Sequence, residues 1–354
     1  MRNRILVSGV ILGAVLSAVV VAAYTLQQDI VGTKVGILRW APASGQPTFT
    51  WQINPTIDPN KVDTSGGSVD TALQNAFAAW TTAQVKLQGS LQSITTFTVT
   101  EGSQSTLQNT AIDCNNVISF EPTTVNFATG IVAETFVGSV MSPPNPSPPY
   151  VYNNCTGGKT VNVSLTTQIV DADMVFNTGA YCFSTAQSPP ASLAACPNGP
   201  VYDLQAIATH EVGHMLGLDH SGLAHATMFP FGDSGTTAQR SLGVDDAVGE
   251  AFLYPSGSFA TATGTVAGTV TLSGGPAFAS HVVLLDQQTG IAVTDGLTAA
   301  DGTYALNGVP PGTYNLVILS LHGVYTIDNF SLWACGYAVS CTGSPALNYS
   351  GTFF

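Results

Sequence analysis

The chain has 354 residues, of which 45% are hydrophobic and only 8% are charged, against a usual charged fraction of ~25%. This length allows roughly two domains with buried cores, and the apolar content excludes an intrinsically disordered chain. Eight basic residues against 21 acidic ones give a net charge of −13, and such a surface repels phosphate backbones, so the composition argues against nucleic-acid binding.

The chain begins with a short basic segment and a long apolar run. Arg2 and Arg4 precede the apolar residues 5–23, and Val21-Ala22-Ala23 suits signal-peptidase cleavage before Tyr24. A run of this length also suits an uncleaved membrane anchor. Both interpretations place everything after residue 24 outside the cell. The sequence therefore predicts a secreted protein with a signal peptide over residues 1–23, or else an anchored, outward-facing protein that meets the membrane only there.

Helical and strand-like segments alternate over residues 34–255. Three segments have the apolar period of a helix: 69–80 with Ser68 as N-cap, 203–217 and 244–252. Asp203 begins the second segment and Gly217 ends it, whereas Pro255 follows the third. Strand-like runs cover 48–53, 95–100, 117–120, 131–140 and 169–176. A sheet with few helices predicts an α+β domain.

The composition shifts near Pro255 and indicates a second unit. Residues 256–263 have the composition of a linker. Beyond it, strand-like runs cover 264–272, 281–285, 303–306 and 313–319, with further candidates at 326–332 and 347–353. Turns rich in Gly, Pro and Asn separate these runs at the spacing of a sandwich. Residues 264–354 are therefore predicted to form a small all-β sandwich.

Six cysteines fit an exported protein that carries structural disulfide bonds. Their pairing is not determined by the sequence alone. Proximity along the chain favours Cys182–Cys196 and Cys335–Cys341, which leaves Cys114–Cys155. A zinc site built from cysteines is the weaker alternative, because no C-x-x-C spacing occurs.

The second helix carries the residues with the clearest chemistry. His210 and His214 are four residues apart, so they present their imidazoles to one point, with Glu211 offset by about 100° around the helix. A reversal at Gly217 would bring His220 back towards them. Three neutral imidazoles and one water form an open tetrahedral zinc site. Glu211 would accept a proton from the water and pass it to the leaving amine, which favours peptide-bond hydrolysis.

Two alternatives for this segment explain less of the pattern. An amphipathic helix with incidental histidines accounts for the apolar stripe but not for the spacing of three histidines. A purely structural zinc site normally has a fourth protein ligand, for which Glu211 is unsuited. His225 is a candidate for that ligand, although the sequence favours a position on the following loop.

The segment from His210 to His220 matches the HExxHxxGxxH pattern in full, and it resembles the metzincin metallopeptidases, specifically a bacterial member of the matrixin branch. The resemblance covers roughly residues 34–255. It implies a twisted mixed sheet with about three helices, one catalytic zinc, and protein or peptide substrates. Residues 226–230 resemble the Met-turn, which implies that Met228 lies beneath the zinc ligands. Residues 131–137 would then form an antiparallel edge strand that binds substrate, with an ordinary inner strand as the alternative.

The chain departs from the animal matrixins at several points. It has no histidines ahead of the active-site helix that match their second, structural zinc site, and no segment that resembles their cysteine switch. Asp171 and Asp173 are candidate calcium ligands, but two acids that alternate on one strand are more typical of a solvent-facing pair. Calcium is therefore a candidate cofactor without support from the sequence.

The C-terminal unit resembles the carboxypeptidase regulatory-like, prealbumin-type β-sandwich over about residues 263–319. The supporting segments are Gly264–Val270, Asp301–Tyr304 and Val309–Tyr314. A shared fold alone does not assign a function. His281 and His322 lack ligand spacing, so we expect both on strands or loops without metal.

Together these features predict an exported zinc endopeptidase with an appended β-sandwich. One alternative is a catalytically idle zinc-binding or adhesion protein whose β-sandwich does the binding. The presence of Glu211 argues against it, because an idle site has no need of a general base. A zinc hydrolase that acts on a non-peptide bond is a third, weaker interpretation.

Overall fold

A computed structural model describes residues 5–8, 26–31, 34–41, 47–87, 90–93, 96–108, 110–120, 125–141, 148–196, 199–257, 259–321, 349 and 352–353. Most of the predicted signal segment lies outside these residues, as do Cys335, Cys341, His322 and the candidate strand at 326–332. Within the described part of the chain, no helix is long and apolar enough to cross a membrane.

The three predicted helices are confirmed, and the described residues contain a fourth, short one. They are α1 (Val69–Thr81), α2 (Leu204–Met215), α3 (Val244–Leu253) and α4 (Phe259–Ala262). The Ser68 hydroxyl accepts a hydrogen bond from the Thr71 amide at 3.0 Å, and Asp203 caps α2 in the same way. Gly217 follows α2 with a φ of 99°, which gives the predicted left-handed turn. A 3-10 helix covers Ala238–Arg240.

Fifteen described strands precede α2. They are β1 (Ile5–Ser8), β2 (Gln28–Val31), β3 (Lys34–Ile37), β4 (Thr48–Ile53), β5 (Val62–Asp63), β6 (Gln84–Leu87), β7 (Ser90–Ser93), β8 (Thr98–Glu101), β9 (Asn116–Ser119), β10 (Ala133–Met141), β11 (Tyr150–Tyr152), β12 (Val161–Val163), β13 (Thr167–Phe176), β14 (Cys182–Ser184) and β15 (Val201–Asp203). The predicted runs at 48–53, 95–100, 117–120, 131–140 and 169–176 correspond to β4, β8, β9, β10 and β13.

A mixed five-stranded sheet forms the base of the first unit. Its strand order is β10-β13-β9-β4-β8. Only β10 runs antiparallel to its neighbour, and a register shift interrupts that pair between Gly138 and Ser139. Helices α1 and α2 pack through a shared core that includes Trp51, Phe77 and Trp80. The α+β class is thereby supported, and β10 lies at the end of the sheet, as predicted.

Seven described strands follow α4. They are β16 (Gly264–Leu272), β17 (Gly275–Pro276), β18 (Ser280–Asp286), β19 (Ala292–Leu297), β20 (Thr303–Val309), β21 (Tyr314–Ser320) and β22 (Thr352–Phe353). One sheet contains β16, β17 and β20 together with β1, and the other has the order β19-β18-β21-β22. The sequence did not predict β19. We call residues 264–321 the C-terminal unit.

The segment predicted as a linker packs against the rest of the chain. Phe259, at the start of α4, is 2% exposed. A Cβ at Gly308 would lie 3.2 Å from the Phe259 ring and 3.4 Å from Val248 of α3. Residues of the first unit and of the C-terminal unit therefore share one buried cluster. Residues 256–263 contain a packed helical turn rather than a fully extended connection.

Two of the three proposed disulfide bonds lie among the described residues. Cys114–Cys155 and Cys182–Cys196 are both bonded. Proximity along the chain favoured Cys182–Cys196 and elimination left Cys114–Cys155, and both pairs are confirmed. The third proposed pair, Cys335–Cys341, lies outside the described residues.

Candidate metal centre

Three aromatic side chains hold the backbone of α2 in place. The indole of Trp80 donates to the Thr209 carbonyl at 2.8 Å, and the indole of Trp40 donates to the Met215 carbonyl at 2.8 Å. The Tyr254 hydroxyl donates to the Leu216 carbonyl at 2.6 Å. Buried indole and phenol groups need hydrogen-bond partners. Here the partners are main-chain carbonyls of α2 and of the residue that follows it. The sequence placed Trp80 on the apolar face of the first helix, and it did not single out Trp40 or Tyr254.

The other end of α2 is fixed by an ion pair. Asp203 is the N-cap of α2, and its Oδ1 accepts from the Ala206 amide at 2.7 Å. Arg240 donates to both carboxylate oxygens of Asp203, with Nε lying 2.8 Å from Oδ1. The Asp203 side chain is 1% exposed. Because both ends of α2 are held, the side chains on its middle turn have a defined direction.

The three histidines predicted from the motif come together. One ring nitrogen of each of His210, His214 and His220 lies within 4.8 Å of those of the others. His210 Nδ1 lies 2.7 Å from the Thr227 carbonyl, and His214 Nδ1 lies 2.9 Å from the Leu218 carbonyl. A carbonyl only accepts, so both Nδ1 atoms carry hydrogen and donate. This tautomer leaves each Nε2 lone pair free for a metal.

The environment keeps the imidazoles of His210 and His214 neutral. Burial lowers the pKa of His210 to about 3, with a further lowering by His220. Burial also lowers the pKa of His214 well below its ordinary value, followed by the effects of His210 and His220. Neutral imidazoles are the form that binds zinc, and three of them leave a fourth position open. The donor set therefore fits one zinc ion.

Glu211 lies beside the histidines on α2 and is held by a residue of the sheet. Its Oε2 accepts a hydrogen bond from the Thr135 hydroxyl on β10 at 2.7 Å. Burial raises the pKa of Glu211 to about 7, the Thr135 hydrogen bond lowers it, and the Glu134 carboxylate raises it. Glu211 is thus a buried carboxyl group in the same cleft as the histidines. Thr135 was not singled out from the sequence, since nothing local marks it.

Met228 lies against the middle of α2. It is 2% exposed, and a Cβ at Gly213 would lie 2.2 Å from its sulfur atom. Gly213 stands directly before His214, so the missing side chain allows the thioether to approach the helix backbone. Asp246 of α3 accepts from the amides of Thr227 at 2.7 Å and Met228 at 3.0 Å. The turn that carries Met228 is therefore anchored to α3.

The histidines and Glu211 line a cleft of about 560 Å³. Residues 129–135 form one wall, and Phe229, Pro230, Phe231 and Gly232 contribute to another. Tyr202, Ile207 and Gln239 also line the cleft. One long edge of the cleft is thus formed by the start of β10, the end strand of the sheet. This arrangement leaves the edge of a strand beside the histidines.

The sequence-based preference for a solvent-facing Asp171–Asp173 pair is wrong. Both residues lie on β13, but both are buried, with exposed fractions of only 2% for Asp171 and 3% for Asp173. Asp171 accepts from the Asp113 amide at 2.6 Å and the Cys114 amide at 2.7 Å, while Asp173 accepts from the Val117 amide at 2.8 Å. These carboxyls hold the chain that enters β9. Among the described residues the three histidines are the only group with metal-site spacing, so calcium gains no support.

The other two described histidines lie apart from that group. His225 is exposed on the loop after the motif, as the sequence favoured. His281 lies on β18 and is 2% exposed. Its ring contacts Asp295 rather than the three histidines.

A partly buried group of three imidazoles with an adjoining carboxyl group is the kind of site found in zinc hydrolases. Residues 165–255 match the matrixin family model, a family of M10 peptidases. Metalloendoproteinase 5-MMP of Arabidopsis thaliana is 45% identical over 58 residues, or 16% of this chain and 16% of the relative. Karilysin of Tannerella forsythia is 42% identical over 60 residues, or 16% of this chain and 12% of the relative.

Metalloendoproteinase 4-MMP of Arabidopsis thaliana is 45% identical over 56 residues, which is 15% of each chain. The chain thus matches only about a sixth of the length of these relatives or less. The match to the matrixin model covers the part of the chain that carries the three histidines and Glu211.

Proposed function

We propose that the protein is an exported zinc-dependent endopeptidase. The observation that carries this proposal is the meeting of three imidazoles and the Glu211 carboxyl group in one cleft. His210, His214 and His220 would hold the zinc ion, with Met228 packed beneath them. Two disulfide bonds support an oxidising compartment and therefore export.

Zinc supplies Lewis-acid polarisation of the scissile carbonyl and of the attacking water. Glu211 accepts the proton of that water as the new bond to the carbonyl carbon forms, and it delivers the proton to the amine nitrogen as the peptide bond breaks. Thr135 orients the carboxylate by donating to Oε2. The Nδ1 hydrogen bonds of His210 and His214 hold their rings in the ligating orientation.

The edge of β10 would bind the substrate. An extended peptide can add to an exposed strand edge through main-chain hydrogen bonds, which suits a protein or peptide substrate. The start of β10 lines the cleft, and Thr135 from this strand contacts Glu211. A peptide along β10 would therefore pass directly over the proposed base.

We further assign residues 34–255 to a metzincin-type catalytic domain and residues 264–354 to a carboxypeptidase regulatory-like β-sandwich. The mixed sheet, with β10 antiparallel at one end, supports the first assignment. Two sheets that share buried side chains in the C-terminal unit support the second.

The test uses the full-length chain, a denatured protein as substrate, and Glu211→Ala. We expect the wild-type chain to produce fragments that disappear with a zinc chelator and return when zinc is added. Glu211→Ala should bind zinc but cleave at least about 100-fold more slowly, as expected for loss of a general base. Glu101→Ala, a change of an exposed carboxylate on β8, is the matched control and should cleave normally.

Three results would count against the proposal. Equal turnover by Glu211→Ala would remove Glu211 as the base. Zinc binding by the wild-type chain without any peptide cleavage would favour the idle zinc-binding protein. Cleavage that resists the chelator would exclude zinc as the cofactor.

A further inference from the structure

The loop between the third histidine and Met228 packs against the C-terminal unit. This loop, residues 221–227, begins directly after His220. Its residues Leu223 and Ala226 are buried in one cluster with side chains from β18, β19 and β21, namely Val283, Ala292 and Val317. The same loop therefore contacts the metal centre at its ends and the C-terminal unit along its length.

A buried carboxylate of the C-terminal unit reaches the backbone of this loop. Asp295 Oδ2, on β19, accepts from the Gly222 amide at 2.9 Å, and Oδ1 lies 3.3 Å from the Ser221 hydroxyl. His281 Nε2, on β18, lies 2.5 Å from the same Oδ2. Asp295 is 3% exposed and His281 is 2% exposed. Buried polar groups are stabilised by such mutual hydrogen bonds, and losing one partner leaves the others unsatisfied.

Asp245 of α3 completes the network. Its Oδ2 accepts from the Ser221 hydroxyl at 2.8 Å, and its Oδ1 accepts from the Asp295 amide at 3.2 Å. Burial raises the pKa of Asp245 well above its ordinary value, with a further rise from Asp295. Ser221, the residue after His220, is thus held by α3 and by the C-terminal unit together.

Gly222 shows how closely the two units approach. A Cβ at this position would lie 2.6 Å from His281 Nε2 and 2.7 Å from Asp295 Oδ2. The backbone of Gly222 does not have a positive φ. The close contact with the C-terminal unit, and not the backbone conformation, therefore requires glycine here.

We propose that Asp295 and His281 are positioning residues of the metal centre, acting through Ser221 and Gly222. The Ser221 amide also donates to the Met228 carbonyl at 2.8 Å, which ties the two ends of the loop together. A shift of the loop would move His220 at one end and Met228 at the other. The inference rests on the proposed zinc site, and it makes the C-terminal unit part of that site rather than a separate binding module.

The test measures zinc binding by the full-length chain, without reference to catalysis. Asp295→Asn is compared with Asp301→Asn, a change of an exposed turn carboxylate in the same unit. The measurements are the Zn²⁺ dissociation constant, by competition with a coloured chelator, and the visible absorption spectrum of the Co²⁺-loaded chain. We expect Asp295→Asn to weaken zinc binding about 10-fold and to change the cobalt spectrum, because outer partners of ligands have effects of this size. Asp301→Asn should leave both unchanged.

A folded Asp295→Asn chain with wild-type zinc affinity and an unchanged cobalt spectrum would overturn the proposal, even if its thermal stability were lower. If Asp295→Asn does not fold, His281→Gln decides, because it keeps the Asp295 carboxylate but removes the imidazole that holds it against the loop. We expect His281→Gln to change zinc affinity in the same direction by a smaller factor. Wild-type affinity in that variant would equally overturn the proposal.

The same measurements separate this inference from the proposed function. Zinc affinity can be compared in a Glu211→Ala background, where no hydrolysis is needed. A wild-type chain that binds zinc but cleaves no peptide contradicts the endopeptidase, while the Asp295→Asn comparison still decides the positioning role. Normal cleavage combined with unchanged zinc affinity in Asp295→Asn contradicts only the inference.

Discussion

The Thr135 hydroxyl, on the edge strand β10, lies 2.7 Å from Oε2 of Glu211 in the middle of α2. This hydrogen bond connects the strand proposed to bind substrate with the residue proposed to move the proton. The two residues are 76 positions apart in the chain, so only the fold brings them together. The contact defines the direction of a carboxylate that would otherwise have several rotamers.

Removal of the Thr135 hydroxyl should slow catalysis. A hydrogen bond to a charged group contributes about 1.5–3 kcal/mol, so we expect Thr135→Val to lower kcat by roughly 10-fold or more. Thr135→Ser keeps the hydroxyl and should retain most of the activity. Thr98→Val, an exposed threonine on β8, is the matched control. Steady-state kinetics on a peptide substrate would contradict this role if the valine and serine variants had the same kcat.

Loss of the ion pair at the start of α2 should destabilise the fold. Arg240 lies 2.5 Å from Asp203, whose side chain is 1% exposed, and breaking a buried pair costs about 3–5 kcal/mol. We expect Arg240→Leu to lower the free energy of unfolding by about 3 kcal/mol, because it leaves the Asp203 carboxylate without its charged partner. Arg240→Lys should be intermediate, because lysine cannot bind both carboxylate oxygens in the fork geometry of arginine. Denaturant unfolding of the wild-type, Arg240→Lys and Arg240→Leu chains gives their order of stability. Equal stability of the Arg240→Leu and wild-type chains would contradict the role of the ion pair.

The sequence predicted the local structure of the metal centre better than the long-range contacts that hold the centre in place. The spacing of His210, His214 and His220 depends on helix periodicity and on the turn at Gly217, so both could be derived locally. Ser68 and Asp203 were likewise recognisable as N-caps. The helix bounds agree within a few residues for the same reason.

Hydrogen bonds from residues on distant strands could not be derived in that way. Thr135 and Asp295 carry no local signal, because their partners are distant in the chain. Thr135 is 76 residues from Glu211, and Asp295 is 73 residues from Gly222. Asp171 and Asp173 follow the alternation of a solvent-facing strand, yet tertiary contacts bury them. Periodicity describes which residues share a face, whereas the sheet order decides what covers that face.

The buried carboxyls of β13 should make stability depend on pH. Burial is the largest cause that raises the pKa of Asp171 to about 6 and the pKa of Asp173 to about 9, and Asp171 raises the latter further. Both folded-state values exceed the ordinary value of 3.8. The folded chain therefore holds protons that the unfolded chain has released, and stability falls as pH rises from about 4 to about 9.

Asp173→Asn tests this dependence. The amide oxygen can still accept from the Val117 amide but does not ionise, so the fall in unfolding free energy between pH 6 and pH 9 should become shallower. One such group contributes at most about 1.4 kcal/mol per pH unit. Asp233→Asn, a change of an exposed carboxylate, should keep the wild-type slope. Urea unfolding at a series of pH values gives the slopes, and parallel curves for wild type and Asp173→Asn would contradict the assignment.

Gly213 should be sensitive to the smallest substitution. Alanine in place of a helical glycine normally stabilises a protein by about 0.8–1.0 kcal/mol. Here a Cβ would lie 2.2 Å from the Met228 sulfur and 2.8 Å from the Trp80 ring. Overpacking of a buried site costs about 1–3 kcal/mol, so we expect Gly213→Ala to destabilise the chain and to displace Met228 from beneath the proposed zinc ligands.

A double-mutant cycle identifies the atoms responsible for that effect. Met228→Ala removes the thioether that the new Cβ would meet, so Gly213→Ala should cost less in the Met228→Ala background than in the wild-type chain. Denaturant unfolding supplies the four free energies, and zinc affinity measured on the same four chains should follow the same order. Equal costs in the two backgrounds would show that the contact between Gly213 and Met228 does not limit substitution, and the close packing of this turn under the histidines would then have no energetic role.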